Sequence, residues 1–345
     1  MSKTQVLPVI ENREGFRAAL LEWFAKCGKD YPWRRTRDGY AVLVSEVMLQ
    51  QTQIATVLGK SYYSRFLEIF PDIPALAAAA DEPLLKAWEG LGYYRRARML
   101  RETARAIITK HAGTFPRNTP DLLNLPGIGP YTANALRAFA FNLPGAVVDG
   151  NVTRVLARVM DFRAPVDTSA GQRQMAQWAE MLEDKQQPRA YNSALMELGQ
   201  TLCRPGLPDC ANCPLARFCH ASSPARLPIK KLKTVITAVD EHALWLRDAT
   251  GRLLLHCEDG RRRTGLWKLP TRAADDIAHL PVVAQQYYSI TRYRVHLRVH
   301  AGAAGHFPLA QGEAWLGVDA LASLPMPSPF RKVLTKLLEE TEFQI

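Results

Sequence analysis

The sequence contains no run of about 18 consecutive apolar residues, which a membrane-spanning helix requires. Its first residues, MSKTQVLPVIENREGF, lack the continuous apolar segment of a secretory signal, so we expect a cytoplasmic protein. No repeat of fixed period is present, which excludes a solenoid. Acidic residues are scarce relative to basic ones, at 33 against 44. The resulting formal charge of +11 favours a polyanionic partner, with nucleic acid as the first candidate and simple solubility as the alternative.

The length and composition are those of a globular chain with two domains. Hydrophobic residues make up 47% and charged residues 22%, which excludes a disordered chain. At about 150 residues per domain, the chain length predicts two domains. We place the first at residues 1–222, a linker of small residues, prolines and lysines at 223–234, and the second at 235–345.

Residues 14–225 are predicted to be helical, since β-type alternation is absent from them. The segment 40–58, YAVLVSEVMLQQTQIATVL, is apolar around most of its circumference and predicts one buried helix. Further helices are predicted at 61–70, 82–89, 94–111, 119–124, 131–141, 151–160, 170–184 and 189–202.

The pattern changes to strands after the predicted linker. The segments TVITAVD, HALWLRD and RLLLHCE predict three strands, with a turn at Ala249–Gly251 between the last two. Residues 287–300, YYSITRYRVHLRVH, alternate as one strand. Residues 328–342 predict a closing helix, so the second domain is expected to be α+β.

Four of the six cysteines lie within 17 residues, in the spacing C-x6-C-x2-C-x5-C. They are Cys203, Cys210, Cys213 and Cys219. Without a secretory signal, a metal site is a better interpretation than disulfides. Zinc sites usually pair their ligands as two short chelates, and only one such pair exists here. The spacing favours an iron–sulfur cluster and leaves zinc as the alternative.

The segment LPGIG lies between the predicted helices 119–124 and 131–141. Its glycines, Gly127 and Gly129, allow a tight turn that leaves backbone amides uncovered. These amides, with the positive end of the following helix, can hold a phosphate of a nucleic-acid backbone without reading its sequence. The alternative is a tight turn between helices that binds nothing.

Two carboxyl groups are candidates for acid–base chemistry. Glu46 lies among apolar residues in VSEVMLQQTQ, so loss of hydration should raise its pKa and suit it to act as a general acid. Asp149 precedes a predicted helix, where capping amides favour an ionised carboxylate. Such a pair suits cleavage of a glycosidic bond. The alternatives are a polar seam beside Gln50 and Gln53 for Glu46, and an ordinary N-cap for Asp149.

Together these motifs resemble the helix–hairpin–helix DNA glycosylases with an iron–sulfur cluster, and within them the MutY adenine DNA glycosylases. The resemblance is carried by SEVMLQQTQ (45–53), LKAWEGLGYYRRAR (85–98), LPGIGPYTANAL (125–136), VDGNVTRVLAR (148–158), the cysteine spacing and GLWKLP (265–270). It implies a mainly α N-terminal domain of the glycosylase fold with one [4Fe-4S] cluster on the four cysteines, and an α+β Nudix-like C-terminal domain. It also implies a nucleoid-associated monomer that binds double-stranded DNA.

The resemblance further implies base excision repair of adenine mispaired with 8-oxoguanine or guanine. Glu46 matches the acid that protonates adenine and helps to activate water, and Asp149 matches the carboxylate that stabilises the sugar cation. Tyr131 and Asn151 match residues that support these two. The resemblance implies DNA contacts for Gln51, Leu91, Tyr93, Gly127, Gly129 and Arg154. Gln51 and Tyr93 would enter the base stack where the target base flips out.

Related bifunctional glycosylases that resemble endonuclease III have a Schiff-base lysine where this chain has Tyr131. No lysine lies between Lys110 and Lys185. We therefore predict a monofunctional glycosylase that leaves an intact abasic site.

The second domain resembles the degenerate Nudix-like domain of this family and departs from it in one segment. The Nudix metal signature of clustered glutamates is absent, so nucleotide hydrolysis is not expected. In the family a loop of F-S-H type reads the oxidised guanine, and the nearest segment here is SITRYR, 289–294. Thr291 stands for the serine and Arg292 for the histidine. We expect both to contact DNA, while a solvated strand face is the alternative.

Three competing functions stay open. One is a glycosylase of the same fold for oxidised pyrimidines or thymine mismatches. Another is a DNA-binding iron–sulfur protein without catalytic activity, for which replacement of Glu46 or Asp149 would change nothing. The third is a nucleotide hydrolase in the second domain, which the missing acidic cluster disfavours.

Overall fold

The computed structural model describes residues 10–231, 235–260 and 263–342. Residues 1–9, most of the N-terminal segment that is predicted to lack a secretory signal, lie outside these ranges. Part of the predicted linker, 232–234, does so too. Across the described ranges, no helix is both long and apolar enough to cross a membrane.

Contacts group the chain into two compact units. One joins the residues up to Gln50 with the segment that runs from Ala106 to the linker. The other joins Gln51–Arg105 with the C-terminal part of the chain. The domain boundaries predicted above follow chain order and assign Gln51–Arg105 to the first domain, whereas the contacts group this segment with the C-terminal part. The linear division stays a prediction.

The first unit is helical, as predicted. Its helices are α1 (Arg13–Cys27), α2 (Pro32–Arg35), α3 (Gly39–Leu49), the end of α8 (Arg95–His111), α9 (Thr119–Leu123), α10 (Pro130–Ala135), α11 (Gly150–Val159), α12 (Ser169–Leu182) and α13 (Pro188–Thr201). A π-helical turn, Leu136–Ala140, follows α10 directly. The core buries apolar side chains from α1, α11, α12 and α13, and three of the four clustered cysteines pack against it.

The segment 40–58, predicted as a single helix, is broken. α3 ends at Leu49, and α4 begins only at Ile54. Between them Gln51 has a φ of +58°, a left-handed backbone that cannot continue a right-handed helix. The prediction is wrong here because apolar segments lie on both sides of the break, and the four polar residues 50–53 include no glycine or proline to mark it.

The second unit begins with short helices and continues with strands. The helices before its strands are α4 (Ile54–Gly59), α5 (Tyr62–Ile69), α6 (Ile73–Ala78), α7 (Asp81–Ala87) and the start of α8. The later elements are β1 (Thr237–Trp245), β2 (Leu253–Cys257), β3 (Trp267–Lys268), β4 (Thr271–Arg272), α14 (Ala274–Ile277), β5 (Val282–Ile290), β6 (Tyr293–Ala301), β7 (Glu313–Leu316) and α15 (Ser328–Glu342). Helices and strands together confirm the predicted α+β class.

The strands form two sheets. The four-stranded sheet has the order β4-β1-β6-β5, with β1 and β6 parallel and the other pairs antiparallel. The three-stranded sheet has the antiparallel order β3-β2-β7. Apolar side chains of both sheets and of α15 form one core, which includes Leu255, Leu297, Val299 and Phe330.

Two strand predictions need correction. The strands predicted on either side of Glu241 form the single strand β1, because Glu241 continues the parallel ladder opposite Leu297. The single strand predicted over 287–300 is a hairpin instead, in which Ile290 pairs with Tyr293 across a two-residue turn. The alternation continues through this turn without a glycine or asparagine, so the sequence does not mark it.

Candidate active site

Helix α3 carries Glu46 into the interior of the first unit, where the residue is only 6% exposed. Its Oε2 atom accepts a hydrogen bond of 2.8 Å from the hydroxyl of Tyr131. Burial raises the pKa of Glu46 to about 7; the hydrogen bond from Tyr131 opposes this rise, and the charge of Asp149 adds to it. At neutral pH the carboxyl group is therefore partly protonated, as a general acid must be.

Tyr131 lies in the first turn of α10, directly after Pro130, which occupies the first helical position. Burial holds the pKa of Tyr131 well above its usual value, and the charges of Glu46 and Asp149 act in the same direction. The phenol therefore stays protonated and can only donate to an ionised Glu46. Sequence spacing alone does not indicate this contact, because the two residues are 85 positions apart.

Asp149 is the N-cap residue of α11, as its position in the sequence predicts. One carboxylate oxygen accepts a hydrogen bond of 2.7 Å from the amide of Val152. The other accepts one of 2.8 Å from the side-chain amide of Asn151. With both oxygens acting as acceptors, Asp149 has the arrangement of an ionised carboxylate. Glu46 and Asp149 thus combine one buried acid with one capped carboxylate.

The segment before Asp149 is fixed by side chains that the sequence analysis missed. Asn192 accepts a hydrogen bond of 2.9 Å from the amide of Val147 and donates one to the carbonyl of Gly145. Asn134 donates to the carbonyl of Ala146, and Glu183 accepts from the amide of Gly145. The sequence does contain one signal for these contacts: Asn192 lies among apolar residues of α13, and a buried side-chain amide needs hydrogen-bond partners.

Arg154, a predicted DNA contact, lies beside Asn151 and the loop that carries the cysteines. It is 9% exposed and donates to the carbonyls of Cys203 and Gly199 at 2.8 and 2.7 Å. It also donates to the side chain of Asn151 at 2.9 Å. These contacts orient Asn151, and the DNA contact of Arg154 stays a prediction.

A cavity of about 690 Å³ lies beside these groups in the first unit. Tyr131 and Asp149 line it, together with Asn134, Thr153 and Lys230. Glu46 is not among the lining residues, but it is hydrogen-bonded to Tyr131, which is. The cavity has the size of a small-molecule pocket and brings an apolar wall, a carboxylate and a phenol together.

The predicted hairpin turn lies between α9 and α10. Gly127 has a φ of +77°, which the turn requires and glycine permits. Gly129 is the N-cap of α10. Within residues 10–231, neither glycine amide has a hydrogen-bond acceptor. The turn therefore presents uncovered amides, as its sequence predicts.

The four clustered cysteines line one cavity of about 150 Å³. The guanidinium group of Arg158, which is almost fully buried, donates to the Sγ atom of Cys203 at 3.3 Å. The same guanidinium group donates to the carbonyl oxygens of Arg204 and Gly206. These hydrogen bonds stabilise the loop that carries the cysteines. Among the described residues, no group of histidine, cysteine or acidic side chains is arranged to hold a metal ion.

Three of the predicted DNA contacts lie in the helical part of the second unit. Gln51 and Tyr93 are exposed, and both have left-handed backbones, with φ angles of +58° and +49°. Leu91 is buried, and its carbonyl accepts a hydrogen bond from Arg96 at 2.9 Å. Gln51 and Tyr93 are thus exposed to a ligand and Leu91 is not; all three DNA contacts stay predictions.

Thr291 and Arg292 form the turn between β5 and β6, and both are exposed. Thr291 has a φ of +52°, which is a strained conformation for a β-branched residue. The guanidinium group of Arg292 lies 5.2 Å from the centre of the Tyr293 ring and donates to its hydroxyl at 3.1 Å. The turn thus presents a fixed cationic side chain at the tip of a hairpin.

Comparison with protein families and solved structures supports the helical fold. Residues 44–180 match the model described as HhH-GPD superfamily base excision DNA repair protein. A thermostable thymine-DNA glycosylase matches with a TM-score of 0.55 and 29% identity, over 61% of this chain and 96% of that one. A trapped endonuclease III–DNA intermediate matches with a TM-score of 0.51 and 25% identity, over 60% and 95%. These matches confirm the predicted helix–hairpin–helix glycosylase fold.

Curated relatives identify the family within this fold. Adenine DNA glycosylase from Homo sapiens is 43% identical over 60% of this chain and 39% of its own length. The proteins of that name from Mycolicibacterium smegmatis and Mycobacterium tuberculosis are 37% and 35% identical, over 87% and 84% of this chain and 98% and 92% of theirs. The chain spans less than half the length of the human and mouse relatives, but nearly all of the mycobacterial ones. It belongs to the family of adenine DNA glycosylases.

Proposed function

We propose that the protein is a monofunctional adenine DNA glycosylase that acts in base excision repair on adenine opposite 8-oxoguanine or guanine in double-stranded DNA. One observation carries the proposal. Glu46, with a pKa of about 7, is hydrogen-bonded to Tyr131, and the nearby charge of Asp149 contributes to the raised pKa. Hydrolysis of a glycosidic bond needs this combination of a proton donor and an anion.

In the proposed reaction, protonated Glu46 donates its proton to a ring nitrogen of the flipped adenine. The bond between the sugar and the base then breaks, and its electrons leave with the base. The Asp149 carboxylate, held by Val152 and Asn151, stabilises the positive charge that develops on the sugar. Water adds to the sugar carbon and gives a proton to ionised Glu46, which restores the acid.

Tyr131 has two consequences for this chemistry. Its hydroxyl stabilises the ionised form of Glu46 after proton transfer, because it donates a hydrogen bond to the carboxylate. It also occupies the position of the Schiff-base lysine in the bifunctional relatives named above. Since the side chain at this position is not an amine, water completes the reaction and the sugar–phosphate backbone stays intact.

Binding of the duplex is assigned to exposed elements of both units. The uncovered amides of Gly127 and Gly129 would hold a backbone phosphate. Gln51 and Tyr93 would occupy the space left when the adenine flips out, which replaces lost stacking. Thr291 and Arg292, in the α+β region that we propose to be Nudix-like, would contact the base opposite adenine.

We also propose that Cys203, Cys210, Cys213 and Cys219 hold one [4Fe-4S] cluster. The four side chains face one cavity, and Arg158 supplies a positive charge beside Cys203. Their spacing in the sequence contains only one short chelate, which favours a cluster over a single zinc ion. When bound, the cluster would stabilise the loop 203–219; water-driven base excision transfers no net electrons.

Iron and acid-labile sulfide analysis tests the cluster. The wild-type protein should contain the iron and sulfide of one cluster per chain. Cys213→Ser should lose most of both, whereas Cys257→Ser, at a cysteine outside the group, should retain them. Stoichiometric zinc in place of iron would overturn this assignment.

Single-turnover base release tests the activity itself. Labelled duplexes carrying adenine opposite 8-oxoguanine, guanine or thymine, and thymine opposite guanine, are incubated with the protein and analysed with and without alkali. We expect release of adenine fastest opposite 8-oxoguanine, with strand cleavage only after alkali. Cleavage without alkali would contradict the monofunctional assignment. Preferred release of thymine would favour the thymine-mismatch alternative, and no release by a folded protein would favour a DNA-binding role.

A further inference from the structure

The segment that carries Tyr93 has an unusual backbone. It joins α7 to α8, and Gly90, Gly92 and Tyr93 have φ angles of +96°, +68° and +49°. Glycine adopts such angles freely, but tyrosine does so only at a cost. A Cβ atom at Gly90 would lie 1.9 Å from the hydroxyl of Tyr62, so the backbone is packed closely there. A conformation of this kind persists only where its surroundings impose it.

Part of that constraint comes from within the segment. The indole of Trp88 donates to the carbonyl of Gly92 at 3.1 Å. Arg96 donates to the carbonyls of Leu91 and Gly92 at 2.9 and 3.1 Å. The guanidinium group of Arg96 also lies over the rings of Trp88 and Tyr93, at 5.4 and 5.7 Å. These contacts fix the carbonyls on the side of the segment that leads into α8.

The remaining constraint comes from the C-terminal part of the second unit. Arg331, on α15, donates to both carboxylate oxygens of Glu89, at 2.7 and 3.3 Å. Glu89 directly precedes Gly90, the first left-handed residue. At the other end, the hydroxyl of Tyr94 donates to the carbonyl of Met326 at 3.0 Å. Both residues that flank the segment Gly90–Tyr93 are therefore held by residues more than 230 positions away in the chain.

Arg331 is itself held firmly. It donates to the carbonyls of Leu321 and Leu324 at 2.7 and 2.6 Å, and it is only partly exposed. Lys86, on α7, contacts both Glu89 and Leu324, at 2.8 and 3.3 Å. A two-pronged pair between an arginine and a carboxylate fixes orientation as well as distance. The carboxylate of Glu89 therefore cannot move without breaking contacts to α15 and to the loop before it.

We propose that Arg331 is a positioning residue for base extrusion, which acts through Glu89 on the conformation of the Tyr93 segment. The C-terminal region thus contributes to catalysis through the protein interior, separately from any contact that it makes with DNA. This inference rests on the proposed function, in which Tyr93 enters the base stack.

A double-mutant cycle on extrusion tests the proposal. The duplex carries 2-aminopurine in place of the target adenine, and its fluorescence rises when the base leaves the stack. All variants are made in the full chain with Glu46→Gln, so that no base is released. We expect Arg331→Met and Glu89→Gln each to lower the extrusion equilibrium about tenfold. The double variant should lower it tenfold as well, not a hundredfold, because both changes remove the same interaction.

The pair formed by Arg272 and Glu313 is the matched control. It is a mostly buried, two-pronged ion pair in the same unit, and within the described ranges neither member is hydrogen-bonded to the Tyr93 segment. Glu313→Gln should lower the melting temperature about as much as Glu89→Gln but leave extrusion unchanged. Equal extrusion in the wild type, Arg331→Met and Glu89→Gln would overturn the proposal, as would single effects that multiply in the double variant.

Tyr93→Ala separates this inference from the proposed function. If Tyr93→Ala lowers extrusion while Arg331→Met and Glu89→Gln do not, only the coupling through Arg331 is wrong. If Tyr93→Ala leaves extrusion unchanged, the proposed role of Tyr93 fails, and this inference fails with it.

Discussion

The candidate acid–base groups and the candidate DNA-contacting groups are held in place by different physical means. Glu46 and Tyr131 lie on helices and Asp149 caps one; burial and the hydrogen bond between Glu46 and Tyr131 set the protonation of these two residues. Tyr93 and Thr291 are exposed and have left-handed backbones. The direction of their side chains is therefore determined by a strained backbone and by the neighbouring residues that hold it in that conformation. Changes in the first group should therefore alter rate and pH dependence. Changes in the second should alter extrusion and specificity at an unchanged pH profile.

The largest effect is expected at Glu46. Glu46→Gln removes the acid, and loss of general acid catalysis typically lowers a rate about 10²–10⁴-fold. Because the pKa of Glu46 is about 7 and the protonated form is active, the wild-type rate of adenine release should fall as the pH rises above 7. Single-turnover rates of adenine release by the wild type and Glu46→Gln, from pH 5 to pH 9, measure the loss of rate and the pH dependence.

Glu197→Gln is the control for Glu46→Gln. Glu197 is also a buried glutamate of the first unit, but it pairs with Arg34 at 2.9 Å and does not line the cavity of the candidate site. Its replacement should affect stability and leave the pH profile in place. Comparable losses of activity in both variants would indicate that burial of a glutamate, not proton transfer, explains the effect.

The next effect concerns stability. The pKa of Glu46 is about 7 in the folded protein and 4.5 without perturbation, so the folded state holds this proton more tightly. The contribution of Glu46 to the free energy of unfolding is therefore present below pH 4.5 and decreases as the pH rises to 7. At 1.4 kcal/mol per pH unit, the loss is about 3 kcal/mol.

Urea unfolding of the wild type and Glu46→Gln at pH 5 and pH 8 measures this loss. The wild type should lose more stability than the variant between the two values, because glutamine does not titrate. Parallel losses in the two proteins would contradict burial as the cause of the raised pKa.

Residues whose role depends on local position were predictable from the sequence, and residues whose role depends on long-range contacts were not. Asp149 precedes a helix, and Gly127 lies in a tight turn; in both cases the neighbouring residues in the sequence indicate the feature. The hydrogen bond between Tyr131 and Glu46 and the ion pair between Glu89 and Arg331 join residues far apart in the chain. No local pattern encodes these contacts.

The left-handed residues were missed for a related reason. Gln51 and Thr291 are neither glycine nor asparagine; apolar segments lie on both sides of Gln51, and an alternating pattern continues past Thr291. Local preference therefore predicts a continuous helix and a continuous strand. The structure has a break at each position instead, and the exposed turns that result carry three of the predicted DNA contacts, Gln51, Thr291 and Arg292.

Within the exposed group, Tyr93 should have the larger effect. Stacking of a base on an aromatic side chain is worth about 1–3 kcal/mol, so Tyr93→Ala should lower adenine release about 5–150-fold. The pH profile should not move, because Glu46 is unchanged. Tyr287→Ala is the control: Tyr287 is 64% exposed, against 49% for Tyr93, but lies on β5 with an ordinary backbone. Equal losses from both would indicate a general surface effect.

The smallest effects are expected at the hairpin turn. Thr291→Gly relieves roughly 1–2 kcal/mol of left-handed strain but adds about 0.5–1 kcal/mol of chain entropy to the unfolded state, so urea unfolding should show a gain in stability of no more than about 1.5 kcal/mol. Arg292→Ala removes a donor worth about 0.5–1.5 kcal/mol, which predicts a twofold to tenfold smaller preference for adenine opposite 8-oxoguanine over guanine.

Arg294→Ala distinguishes a specific contact of Arg292 from general charge. Arg294 is exposed on β6, two residues from Arg292, and carries the same charge on an ordinary strand. Loss of either charge should weaken DNA binding to a similar extent at low salt, since both are near the same surface. Only Arg292→Ala should reduce the preference for 8-oxoguanine, because the strained turn and Tyr293 direct that side chain alone. An equal loss of preference in both variants would mean that the turn contributes charge and not recognition.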